Sequence, residues 1–230
     1  MSNQKPPGRP APPASGNRRI DQGLQSRARL LAEARRLFER DGYAATSTEA
    51  LLAATGLTRG ALYHHFRDKK DLFTAVCDAV HADLAEAIEA ATGALADPQA
   101  QLIAGSVAWI EAVSAPGPRQ VLLIDAPAVL GAVEWQALDE RHGFRLLREA
   151  VLQILQPEGS AAERRADALA AALNGAINAL VHWRARHDGP ASRVALHAAL
   201  QQLCAALLMP DTPPRPKRPA TIRRAARTRS

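Results

Sequence analysis

The segment Ser47–Phe73 reads STEALLAATGLTRGALYHHFRDKKDLF and predicts two short helices separated by a sharp turn. The hydroxyl-bearing residues at its start can cap a first helix, Gly56 allows the turn, and Thr58 can cap a second helix. The apolar residues that would dock both helices on a scaffold are Leu51, Leu57 and Leu62. Two short helices around a glycine turn are typical of a helix-turn-helix, whose second helix enters the major groove of DNA.

The start of the predicted second helix carries the short or polar side chains that a base-reading helix needs. These residues are Thr58, Arg59, Gly60 and Ala61. Among them, Arg59 can donate two hydrogen bonds to O6 and N7 of guanine. The residue types therefore indicate a surface that reads double-stranded DNA.

The string Thr58–Phe66, followed by Asp68–Phe73, resembles the signature of the TetR family of transcriptional regulators. Four upstream residues stand at the spacing that the family shows: Phe38, Gly42, Tyr43 and Thr46. The resemblance covers residues 21–73, and beyond them it lies in the number and length of the helices. Leu52 departs from the family pattern, which usually has a small residue four positions before the turn glycine. A leucine there is expected to alter how the two helices cross.

The resemblance implies how this surface meets DNA. Tyr63 and Lys69 are expected to contact phosphates, and Arg59 and His64 are expected to lie nearest the bases. The full set of expected DNA-contacting residues is Thr48, Thr58, Arg59, Gly60, Ala61, Tyr63, His64 and Lys69. The resemblance also implies a sequence-specific regulator of transcription, expected to be a repressor of a palindromic operator.

Composition and periodicity predict an all-α fold, because alanine and leucine dominate the apolar residues and strand-favouring residues are scarce. Apolar residues at three- and four-residue spacing predict a first helix from about 21 to 41, ended by a left-handed cap at Gly42. Later helices are predicted to begin near Lys69 and Pro98 and to span 134–156, 161–187 and 191–209. The expected fold is TetR-like, with a three-helix DNA-binding domain and a larger helical domain for ligand binding and dimerisation.

Charge is distributed unevenly along the chain, whose formal net charge is +6. Residues 1–20 carry four basic groups and no acidic one, whereas residues 74–210 carry nine basic and fifteen acidic groups. This asymmetry suggests that one end of the folded chain meets a polyanion. The tails have almost no large apolar side chains and are expected to be disordered. The expected organisation is a basic arm at 1–19, the helix-turn-helix domain at 20–73, the helical domain at 74–209 and a basic tail at 210–230.

The predicted helices 161–187 and 191–209 are expected to form the seam of a homodimer. Alanine and glycine are dense between Ala166 and Trp183, which lets helix backbones approach closely. The last helix adds large apolar residues: Val194, Leu196, Leu200, Leu203, Leu207 and Leu208. A reader of palindromic half-sites needs a two-fold partner. Core packing within one chain is the alternative role for some of these residues.

The middle helices predict a cavity for a small apolar effector, because a few large side chains stand among many alanines. Asn174, Asn178 and His182 recur at four-residue spacing, so they share a helix face that could offer polar contacts. The candidate ligand-contacting residues are Trp109, Val113, Trp135, Phe144, Asn174, Asn178 and His182. Packing in the core or at the dimer seam is the alternative for each of them.

Several function classes lack their motifs in this sequence. It contains no Gly-rich phosphate loop, no Cys or His-Glu cluster at metal-binding spacing and no nucleophile elbow, so neither an enzyme, a cofactor nor a metal is expected. Cys77 and Cys204 stand far apart, and no stretch reads as a membrane span, so a cytoplasmic protein without a membrane partner is expected. Two alternatives stay open: a DNA-bound platform for a protein partner without an effector, and an enzyme built on a helical bundle. Activation of transcription also stays open beside repression.

Overall fold

The computed structural model describes residues 15–208, and every regular element in that range is helical, which confirms the all-α class. The helices are α1 (Ser15–Ala45), α2 (Thr48–Thr55), α3 (Arg59–His65), α4 (Lys69–Thr92), α5 (Pro98–Ser114), α6 (Pro116–Pro118), α7 (Ala126–Leu130), α8 (Ala132–Arg141), α9 (Gly143–Leu155), α10 (Ser160–Arg184) and α11 (Pro190–Leu207). A π-helical segment, Arg119–Asp125, lies between α6 and α7. Residues 1–14 and 209–230, with most of the two predicted basic tails, lie outside the described residues. None of the helices within 15–208 combines the length and apolar character that crossing a membrane requires.

Helix α1 begins at Ser15, upstream of the predicted start near residue 21, so residues 15–19 are helical rather than part of a disordered arm. The helix is interrupted at Gly42, whose φ of 81° and ψ of 168° are open mainly to glycine. The predicted break at Gly42 is therefore confirmed, but the predicted left-handed cap is wrong. Beyond the break, the N–H and the hydroxyl of Thr46 both donate to the Gly42 carbonyl, at 3.3 and 2.8 Å.

The short helices of the predicted helix-turn-helix begin and end where the sequence indicates. The predicted caps Ser47 and Thr58 each accept a hydrogen bond from a backbone N–H three residues later. Asp68 and Asp97 cap the two following helices in the same way, by accepting from backbone N–H groups two or three residues later. Gly56 ends α2 in the left-handed conformation, with φ 65° and ψ 17°. Local capping chemistry therefore fixes the bounds of α2 and α3.

The single helix predicted over residues 134–156 is wrong, because α8 and α9 are separated by a break at His142. This residue has φ −121° and ψ −89°, and its Nε2 lies 3.0 Å from Oδ1 of Asp78 on α4. At the next position, a Cβ on Gly143 would lie 2.9 Å from the indole ring of Trp109. Contacts with distant residues thus accompany the break, and the apolar periodicity of the segment carries no sign of them.

The helices pack around two connected cores. In the first, which α1–α3 form with the start of α4, Phe38 meets Phe73 edge to face at a centroid distance of 5.1 Å. In the second, α10 packs against α5, α9 and α11, and α4 packs against α5. Buried residues of α4 contribute to both cores, so this helix joins the DNA-binding unit to the larger helical domain.

Candidate functional site

The outer face of α3 is exposed and polar. Leu62 is buried and holds α3 against the domain, whereas Tyr63 leaves 46% of its surface exposed. Arg59, Gly60 and His64 are also exposed. Helix α3 therefore presents, on one accessible surface, most of the residues that the sequence predicted to meet DNA.

An ion pair with α2 holds Arg59 in the free protein. Its Nη2 lies 2.6 Å from Oε1 of Glu49, and the two side chains are 62% and 69% exposed. An ion pair this exposed contributes little to stability. Arg59 can therefore exchange Glu49 for a base edge at small energetic cost. Beside it, the nearest atom to a Cβ added at Gly60 is 3.9 Å away, so this surface has room for a close approach of DNA.

Lys69, the first residue of α4, lies over the ring of Tyr43 with Nζ 4.1 Å from the ring centroid. Burial lowers the pKa of Lys69, against the opposing effect of Asp125. The ammonium is half-buried here, so the phosphate contact expected of Lys69 requires its flexible stem to turn away from the ring. Thr48 is half-buried at the first position of α2, and its DNA contact likewise stays a prediction.

Polar contacts around Asp125 connect the DNA-binding unit to the π-helical segment. Oδ2 of Asp125 accepts hydrogen bonds from the backbone N–H of Tyr43 at 2.8 Å and from Nε2 of Gln120 at 3.1 Å. A Cβ on Gly42 would lie 2.9 Å from that Gln120 nitrogen. The glycine at the break in α1 therefore permits the close approach that brings Asp125 to the backbone of the DNA-binding unit.

A cavity of about 220 Å³ lies among α4, α5, α8, α9 and α10. Its principal apolar residues are Ile88, Leu102, Trp109, Leu147 and Ile177. Its polar residues include Glu89, Ser106, Asp139, Glu149 and Asn174. Nowhere within residues 15–208 do three or more His, Cys, Asp or Glu side chains come together as a metal site would need. The cavity is suited to a small organic molecule with an apolar body.

Two of the seven residues predicted to contact a ligand, Trp109 and Asn174, line this cavity. The other five lie elsewhere: Val113 is buried in the core, Phe144 packs against the core, Trp135 donates its Nε1–H to the Leu122 carbonyl at 3.2 Å, Asn178 is half-buried on α10, and His182 is exposed. The structure therefore brings together one aromatic and one amide from the predicted set and separates the rest.

Sequence reasoning missed Asp139, the most buried carboxylate at the cavity, with 8% of its surface exposed. Nδ2 of Asn174 donates to its Oδ2 at 2.9 Å. Burial raises the pKa of Asp139, partly offset by that hydrogen bond. Since the two residues are 35 positions apart, no local pattern could have paired them.

A buried histidine lies behind the indole of Trp109. His81 is 4% exposed, and its ring centroid lies 5.5 Å from that of Trp109 and 5.8 Å from that of His142. Burial lowers the pKa of His81 to about 4, with His142 as the next contributor. Its Nδ1 has no hydrogen-bond partner among the residues that the structure describes. This histidine is therefore neutral near physiological pH.

Small residues form an exposed stripe along α10. Its members recur at spacings of three and four, which places them on one face: Ala168, Ala172, Gly175 and Ala179. On α11, Val194 leaves 71% of its surface exposed. The leucines predicted for the seam differ from this pattern, because Leu196, Leu200 and Leu208 are buried within the protomer and Leu203 and Leu207 pack partly against its core. For Leu196, Leu200 and Leu208 the structure thus favours the alternative role, core packing, whereas a seam role for Leu203 and Leu207 stays a prediction.

A helix-turn-helix with an exposed polar α3, joined to a larger helical domain, defines the class of helical DNA-binding regulators. Residues 30–76 match the family model described as bacterial regulatory proteins of the tetR family, and residues 99–207 match the model of the Tetracyclin repressor-like C-terminal domain. A TetR-family regulator from Pectobacterium atrosepticum is 32% identical, with a TM-score of 0.63, over 83% of this chain and 98% of that one. The chain therefore belongs to the TetR family, whose members regulate transcription by binding DNA.

Two further comparisons show how the similarity is distributed. The transcriptional repressor AcnR of Corynebacterium efficiens is 39% identical over 85 residues, which are 34% of this chain and 45% of that relative. The match thus spans less than half the length of that curated relative. The structure of RolR in complex with resorcinol has a TM-score of 0.61 at 16% identity, covers 80% of this chain and 89% of that one, and shows a shared fold.

Proposed function

We propose that this chain is a ligand-responsive repressor that binds a palindromic operator as a homodimer and leaves it when a small apolar effector enters the cavity. The observation that carries the proposal is that α4 begins at Lys69, an expected phosphate contact, and lines the cavity near its other end through Ile88 and Thr92. One helix thus connects the two sites. The function requires the protein to act in the cytoplasm, where the DNA lies.

The direct test measures coupling between the two sites. An operator is selected from random duplexes, and its affinity for the protein is measured with and without single-ring compounds, beginning with resorcinol. Thermodynamic linkage requires that a compound which weakens operator binding be bound less tightly, by the same factor, when operator is present. If compounds bind with no effect on operator affinity, the protein is better described as a DNA-bound platform for a protein partner.

Arg59→Ala is expected to relax sequence preference at one base pair of each half-site. Loss of a bidentate contact with guanine costs about 1–3 kcal/mol of discrimination at that position. Binding should be measured against the selected operator and against duplexes substituted at each position. An unchanged preference at every position would show that Arg59 is not the base-reading residue.

Two further variants act as controls for that experiment. Lys69→Ala and Tyr63→Phe remove expected phosphate contacts, so they should weaken binding to all duplexes alike. The Lys69 variant should also flatten the dependence of log affinity on log salt by about one unit. These two variants therefore distinguish the contribution of contacts with the DNA phosphates from that of contacts with the bases.

The homodimer is supported by the exposed faces of α10 and α11. Helix α10 packs its other faces on α5, α9 and α11, and leaves the small-residue stripe uncovered in the protomer. Small residues let two helices approach closely, and a two-fold pair of such helices makes a four-helix interface. Leu203 packs partly against the protomer's own core, so a substitution there would disturb the fold as well as the seam.

The size of the cavity points to a small effector. Its volume of about 220 Å³ is below the roughly 300–1,000 Å³ typical of drug-sized ligands, but above the roughly 150 Å³ of an apolar cavity that holds benzene. A single aromatic ring with one or two substituents suits this volume. RolR, a protein with the same fold, has been solved in complex with resorcinol, a ligand of this size class.

Gly143→Ala is expected to produce a repressor that binds DNA normally but responds poorly to effector. The added Cβ would lie 2.9 Å from the ring of Trp109, so this ring, which lines the cavity, must shift and change the shape of the cavity wall. Overpacking of this kind costs about 1–3 kcal/mol, so effector affinity should fall by about tenfold or more. Fluorescence of Trp109, in a protein whose other tryptophans are replaced by Phe, measures the binding.

The matched control is Gly23→Ala, because no atom lies within 4 Å of a Cβ added at that position on α1. This control should leave both operator and effector affinity unchanged. Full effector affinity in the Gly143 variant would mean that the bound compound does not occupy the cavity beside Trp109.

A further inference from the structure

The charged side chains that line the cavity are all acidic. Glu89, Asp139 and Glu149 contribute carboxylates to its wall, and none of its lining residues within the described range is Lys, Arg or His. Two of these carboxylates have a cation beside them: Arg145 lies 3.0 Å from Glu149 and 3.4 Å from Glu89. The third, Asp139, has no ion pair with any of the residues that the structure describes.

Asp139 is a buried carboxylate whose partner is neutral. Among the described residues, Asn174 is the one side chain that hydrogen-bonds it, and this contact engages Oδ2. His142, whose positive charge would stabilise the Asp139 carboxylate, directs its Nε2 to Asp78 at 3.0 Å. Burying an ionised carboxylate without a paired charge is costly, so a cation that reaches Asp139 gains a strong, water-excluded interaction.

The apolar wall beside Asp139 is suited to an aromatic body. Oδ1 of Asp139 and the ring of Trp109 lie close together, since a Cβ added at Gly143 would lie 3.2 Å from one and 2.9 Å from the other. A cation held at Asp139 would therefore stand near the indole, where a cation–π contact adds attraction. Leu102 and Ile177 supply further apolar surface.

We propose that the cavity binds a small arylalkylamine in its protonated form, with the ammonium paired to Asp139 and the aromatic ring packed beside Trp109. This inference rests on the proposed effector site and names the chemical class of its ligand. An organic anion would meet three carboxylates, and a neutral molecule would leave Asp139 without a counter-charge. Burial raises the pKa of this carboxyl, and a bound cation would lower it again.

The test uses three isosteric probes and the full-length protein. Calorimetry near neutral pH compares 2-phenylethylamine, which is cationic, with neutral 2-phenylethanol and anionic phenylacetate. The wild type should bind the amine at least about tenfold more tightly than the alcohol, a difference expected of a desolvated ion pair. Phenylacetate should bind most weakly.

Asp139→Asn should abolish the preference for the amine while keeping alcohol affinity within about threefold, because asparagine can still accept from Asn174. The alcohol also reports that the variant is folded. Glu140→Gln is the matched control: it removes the adjacent, exposed carboxylate, and the preference should persist. Equal affinity for amine and alcohol in the wild type, a preference that survives Asp139→Asn, or no binding of any probe would overturn the proposal.

The ligand class and the proposed repressor function can fail separately. If the amine is preferred through Asp139 but does not change operator affinity, the proposed ligand class is supported and effector-driven release from the operator is contradicted. If neutral compounds release the protein from the operator and the amine binds no more tightly than they do, effector-driven release is supported and the proposed ligand class is contradicted. Operator binding measured with each of the three probes distinguishes these results.

Discussion

Gly175→Glu is expected to split the dimer and to weaken operator binding by about 100-fold or more, because a monomer reads one half-site and loses most of the margin between specific and nonspecific affinity. Gly175 lies within the exposed small-residue stripe of α10. A glutamate there would be buried against its own symmetry mate, which combines desolvation of a charge with like-charge repulsion. Sedimentation and operator titration measure the two effects together.

The protomer itself should tolerate this substitution. No atom lies within 4 Å of a Cβ added at Gly175, so nothing within the chain requires a glycine there. Glycine inside a helix costs roughly 0.5–1 kcal/mol relative to alanine, a cost that close approach by a second helix would explain. Helical circular dichroism should therefore be unchanged. Ala82→Glu, on the exposed face of α4, is the matched control and should remain dimeric. A dimeric Gly175 variant with full operator affinity would place the seam elsewhere.

The free energy of unfolding is expected to fall by about 3 kcal/mol as pH decreases from about 6.5 to about 4, because of His81. Burial holds the pKa of this side chain at about 4 in the folded state, against an ordinary value of 6.5. Through that interval the unfolded chain takes up a proton at His81 and the folded chain does not. The contribution is therefore fully present above pH 6.5 and is lost during acidification.

The groups around His81 explain the direction of the shift. Burial is the largest cause and lowers the pKa of His81, and His142 and Arg141 act in the same direction because they oppose a positive charge on its ring. Asp78 favours that charge, but its effect is smaller than that of burial. Denaturant unfolding at fixed protein concentration across this pH range, for wild type and His81→Gln, isolates its contribution as the difference in slope. His64→Gln removes an exposed histidine and should leave the slope unchanged. Equal slopes for wild type and the His81 variant would refute the prediction.

The DNA-binding unit could be predicted from sequence because its determinants are local. Capping hydroxyls lie within three residues of the N–H groups they bond, and Gly56 acts at its own position. The break between α8 and α9 could not be predicted, since it involves Asp78 and Trp109, which are distant in sequence. Periodicity places an apolar face on a helix without saying which neighbour covers it.

The same limit explains the outcome for the candidate cavity and seam. Residue type identifies Trp109 and Asn174, but Asp139 becomes conspicuous only when the fold buries its carboxylate at the cavity and brings Asn174 to it. On α11, a leucine repeat fits an intrachain core as well as a dimer interface. The structure assigns Leu196 and Leu200 to the core and leaves smaller residues facing outward.

The bond between Asp125 and the DNA-binding unit has an evolutionary consequence. Its donor is the main-chain N–H of Tyr43, which any residue except proline would supply. Side-chain changes at position 43 therefore leave the donor in place, whereas changes at position 125 can remove or lengthen the bond. A lineage can thus adjust how firmly the DNA-binding unit is attached to the larger helical domain by substitutions in that domain alone, while the residues of the DNA-binding surface remain the same.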